Sequence, residues 1–78
     1  MALKELSFRI ILRPEPEGGY TVIVPSLPGC ITYGDSLEEA KKMAEDAIKA
    51  YLESMKKHEE KVRDDSETLE GVLILKYA

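Results

Sequence analysis

The chain has 78 residues, 33% of them charged, and a formal net charge of −4. A chain of this length forms one domain, residues 1–78, and buries only about 60% of its unfolded surface, so its core is thin. The negative charge argues against general nucleic-acid binding, because phosphate-binding domains usually carry a net basic surface. No apolar run reaches the ~18 residues of a membrane span, and one cysteine excludes an intrachain disulfide. We therefore expect a cytoplasmic protein without membrane contact, reinforced by association with another chain.

Alternating apolar residues predict a first strand over residues 6–13 (LSFRIILR), with Phe8, Ile10 and Leu12 on its apolar face. Residues 14–19 follow and are rich in turn formers, with two glycines that can supply the positive φ angles of a hairpin. Residues 20–24 (YTVIV) are all β-branched or aromatic, which predicts an antiparallel second strand.

Proline and glycine mark the next connection. Pro25 cannot donate a ladder hydrogen bond and should end the second strand. Pro28 and Gly29 fit the two central positions of a type II turn, where proline fixes φ and glycine takes the left-handed site. Residues 30–33 then predict a third short strand, closed by Gly34.

A capping box predicts the start of a helix. Ser36 with Glu39 has the required spacing, and Asp35 with Glu38 has it one residue earlier, so the sequence leaves open whether Asp35 or Ser36 caps the helix. Apolar residues then recur at spacings of three and four, predicting one amphipathic helix from residue 36 to about residue 57. They are Leu37, Ala40, Ala44, Ala47, Ile48, Tyr51, Leu52 and Met55.

The polar residues 59–71 predict an exposed connector, with a helical continuation as far as Val62 left open. Residues 72–77 (VLILKY) predict a fourth strand. The resulting β-β-β-α-β order indicates an α+β fold: a three-stranded meander, one helix on one face, and a last strand parallel to the first. Four consecutive apolar residues cannot all face one helix, so we expect a partner to cover the other face or the open edge. The alternative is a terminal strand with a few tolerated surface leucines.

Groups for catalysis are sparse. Cys30 and His58 are the only residues for a thiol–imidazole pair, but a helix of about 22 residues, roughly 33 Å long, separates them. We interpret Cys30 as core and His58 as a solvated helix end. The predicted strand interiors contain no Asp or Glu, unlike a two-metal nuclease, so no metal, cofactor or enzymatic activity is expected. The four tyrosines are interpreted as core or interface residues rather than a base-stacking platform.

The run Gly19-Tyr20, Pro25-x-Leu27-Pro28-Gly29-Cys30, Gly34-Asp35-Ser36 and Glu38-Glu39-Ala40 resembles the signature of the HicB-like antitoxin family. The resemblance implies a partial ribonuclease-H-like fold. It also implies binding to a small basic toxin, HicA, which has a double-stranded-RNA-binding-like fold and degrades RNA with a histidine. The motif residues have structural explanations as turn or cap residues: Gly19, Pro25, Pro28, Gly29, Gly34, Asp35, Ser36 and Glu39.

The leading hypothesis is a module that neutralises such a toxin by covering its active surface. We expect the contacts in the first loop, the connector and the last strand, at Glu15, Glu17, Asp64, Asp65, Glu67, Leu73, Leu75 and Tyr77. One alternative is a solitary homo-oligomeric scaffold or regulator whose last strand pairs across a two-fold axis. A third is a residual ribonuclease or RNA binder. Many family members carry a C-terminal DNA-binding segment; because this sequence ends after the predicted last strand, no operator binding is expected.

Overall fold

The computed structural model describes residues 5–78. Within them the chain forms three strands and one helix: β1 Ile11–Pro14, β2 Tyr20–Ile23, β3 Ile31–Gly34 and α1 Leu37–Lys57. The strands are antiparallel in the order β1-β2-β3, so β1 and β3 are the edges of the sheet. The α+β class, the meander and the single helix are confirmed.

The β1–β2 hairpin closes through Glu15, whose N–H donates to the Gly19 carbonyl (3.0 Å) and whose carbonyl accepts from Gly18 (3.0 Å). Gly18 and Gly19 have φ angles of +107° and +78°, a region that favours glycine. At Gly19 the requirement is also steric, because a Cβ atom would collide with the ring of Tyr33. The hairpin therefore depends on Gly19 for both its backbone conformation and its packing.

Two consecutive turns connect β2 to β3. Leu27 donates to the Val24 carbonyl (3.0 Å), and Cys30 donates to the Leu27 carbonyl (2.9 Å), with Gly29 at φ +82° as in a type II turn. The Val24 N–H donates back to Cys30 (3.1 Å) and closes the loop. Because of this folding, Val24, Leu27 and Cys30 turn inward together and are buried.

Helix α1 packs over β2 and β3. Its first half contributes Ala40 and Ala44 to a core around Val22, and its second half covers the loop residues just described. A Cβ atom on Gly34 would meet the backbone of Ala40, so glycine at the end of β3 allows the helix to approach closely. Leu37, which we predicted on the buried stripe, is the first residue of α1 and is 49% exposed.

Both ends of α1 are defined by hydrogen bonds. Ser36 is the N-cap, since its hydroxyl accepts from the Glu39 N–H (3.1 Å), while the Glu39 carboxylate accepts from the Asp35 N–H (2.7 Å). His58 ends the helix, and Glu59 follows with φ +56°. The helix therefore does not continue to Val62.

Strand β1 begins at Ile11 rather than at residue 6, which corrects the sequence prediction. The reason lies in its neighbour: β2 ends at Ile23, and Pro25 supplies no N–H for pairing further along. Beyond that point the N–H groups of Ser7 and Arg9 donate to the carboxylates of Asp64 and Asp65 instead (3.0 and 2.8 Å).

The predicted fourth strand is wrong for the single chain: residues 69–78 have no regular secondary structure. We call residues 72–77 the tail. Its apolar side chains are 82–98% exposed, because no neighbouring strand of the same chain pairs with it. The Cα radius of gyration is 14.9 Å, against about 11.5 Å for a compact chain of this length, and the longest dimension is 53 Å. The tail thus projects from the body instead of folding over it.

Candidate protein-binding surfaces

An acidic surface surrounds Tyr33 beside the hairpin. Glu15, Glu17 and Asp35 form this hairpin acidic surface, and the Thr21 hydroxyl holds the Glu15 carboxylate (2.6 Å). The Tyr33 hydroxyl donates to the Gly18 carbonyl (2.9 Å). Desolvation, followed by hydrogen bonding to Asp35 and the negative charges nearby, raises the pKa of Tyr33. The hydroxyl thus stays protonated in a locally negative surface.

Asp65 lies in the interior, at 4% exposure. Its carboxylate accepts from the Ser26 hydroxyl (2.5 Å), the Arg9 N–H (2.8 Å) and the Thr68 hydroxyl (2.7 Å). Its own N–H donates to the Ser7 carbonyl (2.7 Å). These bonds, with that from Ser26 the strongest, lower the pKa of Asp65. The carboxylate that we expected at a partner contact thus lies inside the chain, where it accepts from the Arg9 N–H at a level of the sheet that β2, which ends at Ile23, does not reach.

Asp64 and Glu67 are the more accessible carboxylates of the same loop. Asp64 accepts from the Ser7 N–H (3.0 Å) and from the hydroxyl of Ser66 (2.9 Å), and these bonds lower its pKa. Glu67 is exposed. The loop is fixed near Ser7, whereas the hairpin acidic surface begins after Pro14, the last residue of β1. The two acidic regions predicted from the sequence therefore lie at opposite ends of the first extended segment and do not form one site.

Arg9 fixes the start of the tail, a role that the sequence did not reveal. Its guanidinium donates to the Thr68 carbonyl (2.8 Å) and pairs with the carboxylate of Glu70 (3.3 Å). These contacts join residues about sixty positions apart in the chain, and no local pattern signals them. The tail therefore leaves the body from a defined point beside the sheet.

The face of the sheet opposite α1 carries a row of isoleucines. Ile11 pairs with Ile23, which pairs with Ile31, so the three side chains lie side by side across the strands. Ile11 and Ile31 are exposed. We call these three residues the isoleucine row. Sequence reasoning missed this row. The available signal was the alternation of side chains along each strand, which places all three isoleucines on the face opposite the helix.

Residues 8–74 match the family described as HicB-like antitoxins of bacterial toxin–antitoxin systems. The chain belongs to the HicB-like antitoxin family. It is 43% identical over 65 residues to a UPF0150 protein of Thermoplasma acidophilum, covering 82% of this chain and 94% of the relative. It is 42% identical over 55 residues to a UPF0150 protein of Archaeoglobus fulgidus, covering 70% and 80%. Antitoxin HicB 1 of Photorhabdus laumondii is 38% identical over 60 residues, which cover 77% of this chain and 39% of that protein.

The resemblance seen in the sequence is thus confirmed, and the structure shows what its residues do in this HicB-like chain. Pro25, Pro28 and Gly29 lie in the double turn between β2 and β3, Gly34 meets the helix, and Ser36 caps it.

The chemically reactive side chains of this HicB-like chain lie apart in the fold. Cys30 is buried, and desolvation raises the pKa of its thiol. His58 is at the exposed end of α1, with Nδ1 2.8 Å from the Ser54 carbonyl. Among residues 5–78, no three His, Cys, Asp or Glu side chains come together as a metal site. No helix in that range is long and apolar enough to cross a membrane.

Proposed function

We propose that this protein is a non-catalytic antitoxin that binds a small, basic, RNA-degrading toxin of the HicA type and covers its active surface. The match of residues 8–74 to the HicB-like antitoxin family carries the proposal. The net charge of −4 supports it, because an acidic protein attracts a basic partner and speeds their encounter. We place this interaction in the cytoplasm, where cellular RNA is the target.

We assign the toxin contact to the accessible carboxylates. Glu15, Glu17 and Asp35 surround one end of β1, and Asp64 and Glu67 lie near the other. Glu17 and Glu67 are exposed, so they remain free to meet Lys or Arg side chains of a partner. Asp65 is excluded from this set because its carboxylate already accepts three hydrogen bonds within the chain.

The test begins with the basic protein that the purified chain captures from its native host, or that a neighbouring reading frame encodes. The captured protein should degrade RNA alone and lose that activity when an equimolar amount of this chain is added. Failure to inhibit a partner that binds, or recovery of no basic protein at all, contradicts the proposal.

A charge variant tests the assigned surface. Glu17→Lys should slow association with the toxin by about tenfold at low salt and less at high salt, because charges steer the encounter. The matched control is Glu53→Lys on α1, which changes the net charge equally at another exposed position. Equal effects of the two variants would show that net charge, rather than the hairpin acidic surface, controls binding.

A second candidate is a solitary homo-oligomeric scaffold or regulator, and the exposed tail favours it. The two candidates are compatible, since the carboxylates assigned to the toxin contact lie outside the tail. The RNA degradation assay separates them: a scaffold without a toxin partner inhibits no ribonuclease.

A further inference from the structure

The tail has the composition of a buried strand but no partner within the chain. Val72, Leu73, Ile74 and Leu75 are 82–90% exposed, and Tyr77 is 98% exposed. Alternate residues of a strand point to opposite faces, so Val72 and Ile74 lie on one face and Leu73, Leu75 and Tyr77 on the other. A strand that is apolar on both faces requires cover on both.

The free edge of β1 offers backbone groups for such a strand. Glu15 bonds to Gly19 across the hairpin, and antiparallel bonds recur at every second residue, so Arg13 and Ile11 bond to β2. The N–H and C=O groups of Ile10 and Leu12 therefore point away from β2. Since β1 is an edge strand, no other strand of the described chain uses them.

Apolar side chains flank this edge on both faces of the sheet. On the helix side, Phe8, Ile10 and Leu12 are only half-buried, because α1 packs mainly over β2 and β3. On the opposite side, Ile11 is 49% exposed and begins the isoleucine row. A strand added at this edge would therefore cover apolar surface with both of its faces.

We propose that the tail of one copy adds as a strand to the β1 edge of a second copy, and that the two copies exchange tails reciprocally. One face of the added tail then covers Phe8, Ile10 and Leu12, and the other extends the isoleucine row. This inference goes beyond the proposed antitoxin function and does not depend on it.

The occupant is a second copy because the tail is directed away from its own body. Arg9 holds Thr68 and Glu70 beside the sheet, and the apolar side chains of the tail that follows are 82–98% exposed. In a reciprocal exchange the tail of each copy pairs with the β1 edge of the other, so both contacts are the same, as a closed two-fold dimer requires. Each side contributes a tail and an acceptor, roughly a dozen residues, which is fewer than the ~20–30 a side of a standard interface, so we expect a weak dimer.

The test is the molar mass of the full chain by light scattering at concentrations on the order of 10 μM, where micromolar dimers are populated. We expect twice the 8.8 kDa of one chain. Ile74→Asp in the tail and Ile11→Asp beside the acceptor edge should each raise the dimer dissociation constant at least about tenfold, because a charge would replace an apolar side chain in contact with the neighbouring strand. Leu69→Asp is the matched control: Leu69 is 93% exposed but precedes the tail, so this variant stays dimeric.

Mixing the two variants tests whether tail and edge contact each other. The Ile74→Asp chain keeps an intact acceptor and the Ile11→Asp chain keeps an intact tail, so their mixture should form a heterodimer with one exchanged tail, more readily than either forms a homodimer. Circular dichroism of each variant checks that α1 is retained. A wild-type monomer overturns the proposal, whether its tail is free, folded onto its own body or reserved for another protein. A dimer that Ile11→Asp leaves unchanged overturns it in favour of tail-to-tail pairing.

Discussion

At the scale of single residues, Asp65 connects parts of the chain that the sequence keeps far apart. Its carboxylate joins Arg9 at the start of the sheet, Ser26 in the double turn and Thr68 in its own loop. Buried polar groups with several partners are costly to disturb, since each partner then loses its own hydrogen bond. Asp65→Asn should therefore lower the melting temperature by at least about 5 °C at neutral pH. Glu67→Gln, at an exposed position of the same loop, should leave it nearly unchanged.

The pH dependence of stability follows from the same carboxylates. The pKa values of Asp64 and Asp65 are lower in the folded chain than in an unfolded chain, where they are near 3.8. Their stabilisation is therefore complete above that range and is lost as the pH falls through their folded pKa values. Thermal unfolding between pH 7 and pH 2 should show a loss of stability below about pH 4 that is smaller in Asp65→Asn. An identical acid profile in both proteins would contradict this role.

Substitutions at Gly18 and Gly19 distinguish the cost of backbone strain from the cost of a steric clash. Both have positive φ, but only at Gly19 would a Cβ atom meet the Tyr33 ring; at Gly18 the space is open. Gly18→Ala should cost about 1 kcal/mol from backbone strain alone. Gly19→Ala should cost at least about 1 kcal/mol more, because the ring must move. Denaturant unfolding measures both, and equal losses would show that the contact with Tyr33 is unimportant.

At the scale of elements, the parts that the sequence predicted well are those with local signals. The hairpin, the type II turn at Gly29 and the helix from Ser36 each depend on residues close together in the chain. Two other features depend on partners more than fifty residues away: the bonding of Ser7 and Arg9 to the loop instead of to β2, and the burial of Asp65. The tail has strand propensity, but propensity alone cannot form a strand without an adjacent edge.

The helix cap gives a direct test of one local signal. Ser36→Ala removes the acceptor of the Glu39 N–H and should destabilise the protein by about 1 kcal/mol. Ser54→Ala, at an exposed position within α1, should be neutral or slightly stabilising, because alanine has the higher helix propensity. Chemical denaturation distinguishes the two. Equal effects would assign the helix start to Asp35 rather than Ser36.

At the scale of the whole molecule, a thin core and an unpaired edge make stability depend on concentration. A dimer that forms by tail exchange stabilises the folded state by mass action, so its melting temperature rises with protein concentration. We expect this dependence in the wild type and in Leu69→Asp, and its absence in Ile74→Asp. Because the side chains of Leu69 and Ile74 are at least 90% exposed in the single chain, all three proteins should converge on the same melting temperature at high dilution.

Hydrogen exchange at the two sides of the proposed contact tests most directly whether a second polypeptide completes the fold. With increasing protein concentration, alternate amides of residues 72–77 and those of Ile10 and Leu12 should become protected together, since each set donates to the other only in the dimer. Tail amides that exchange at unprotected rates at every concentration would contradict the claim that the tail pairs with a second copy. Protection that is independent of concentration would contradict it as well, because the tail would then be covered by its own chain.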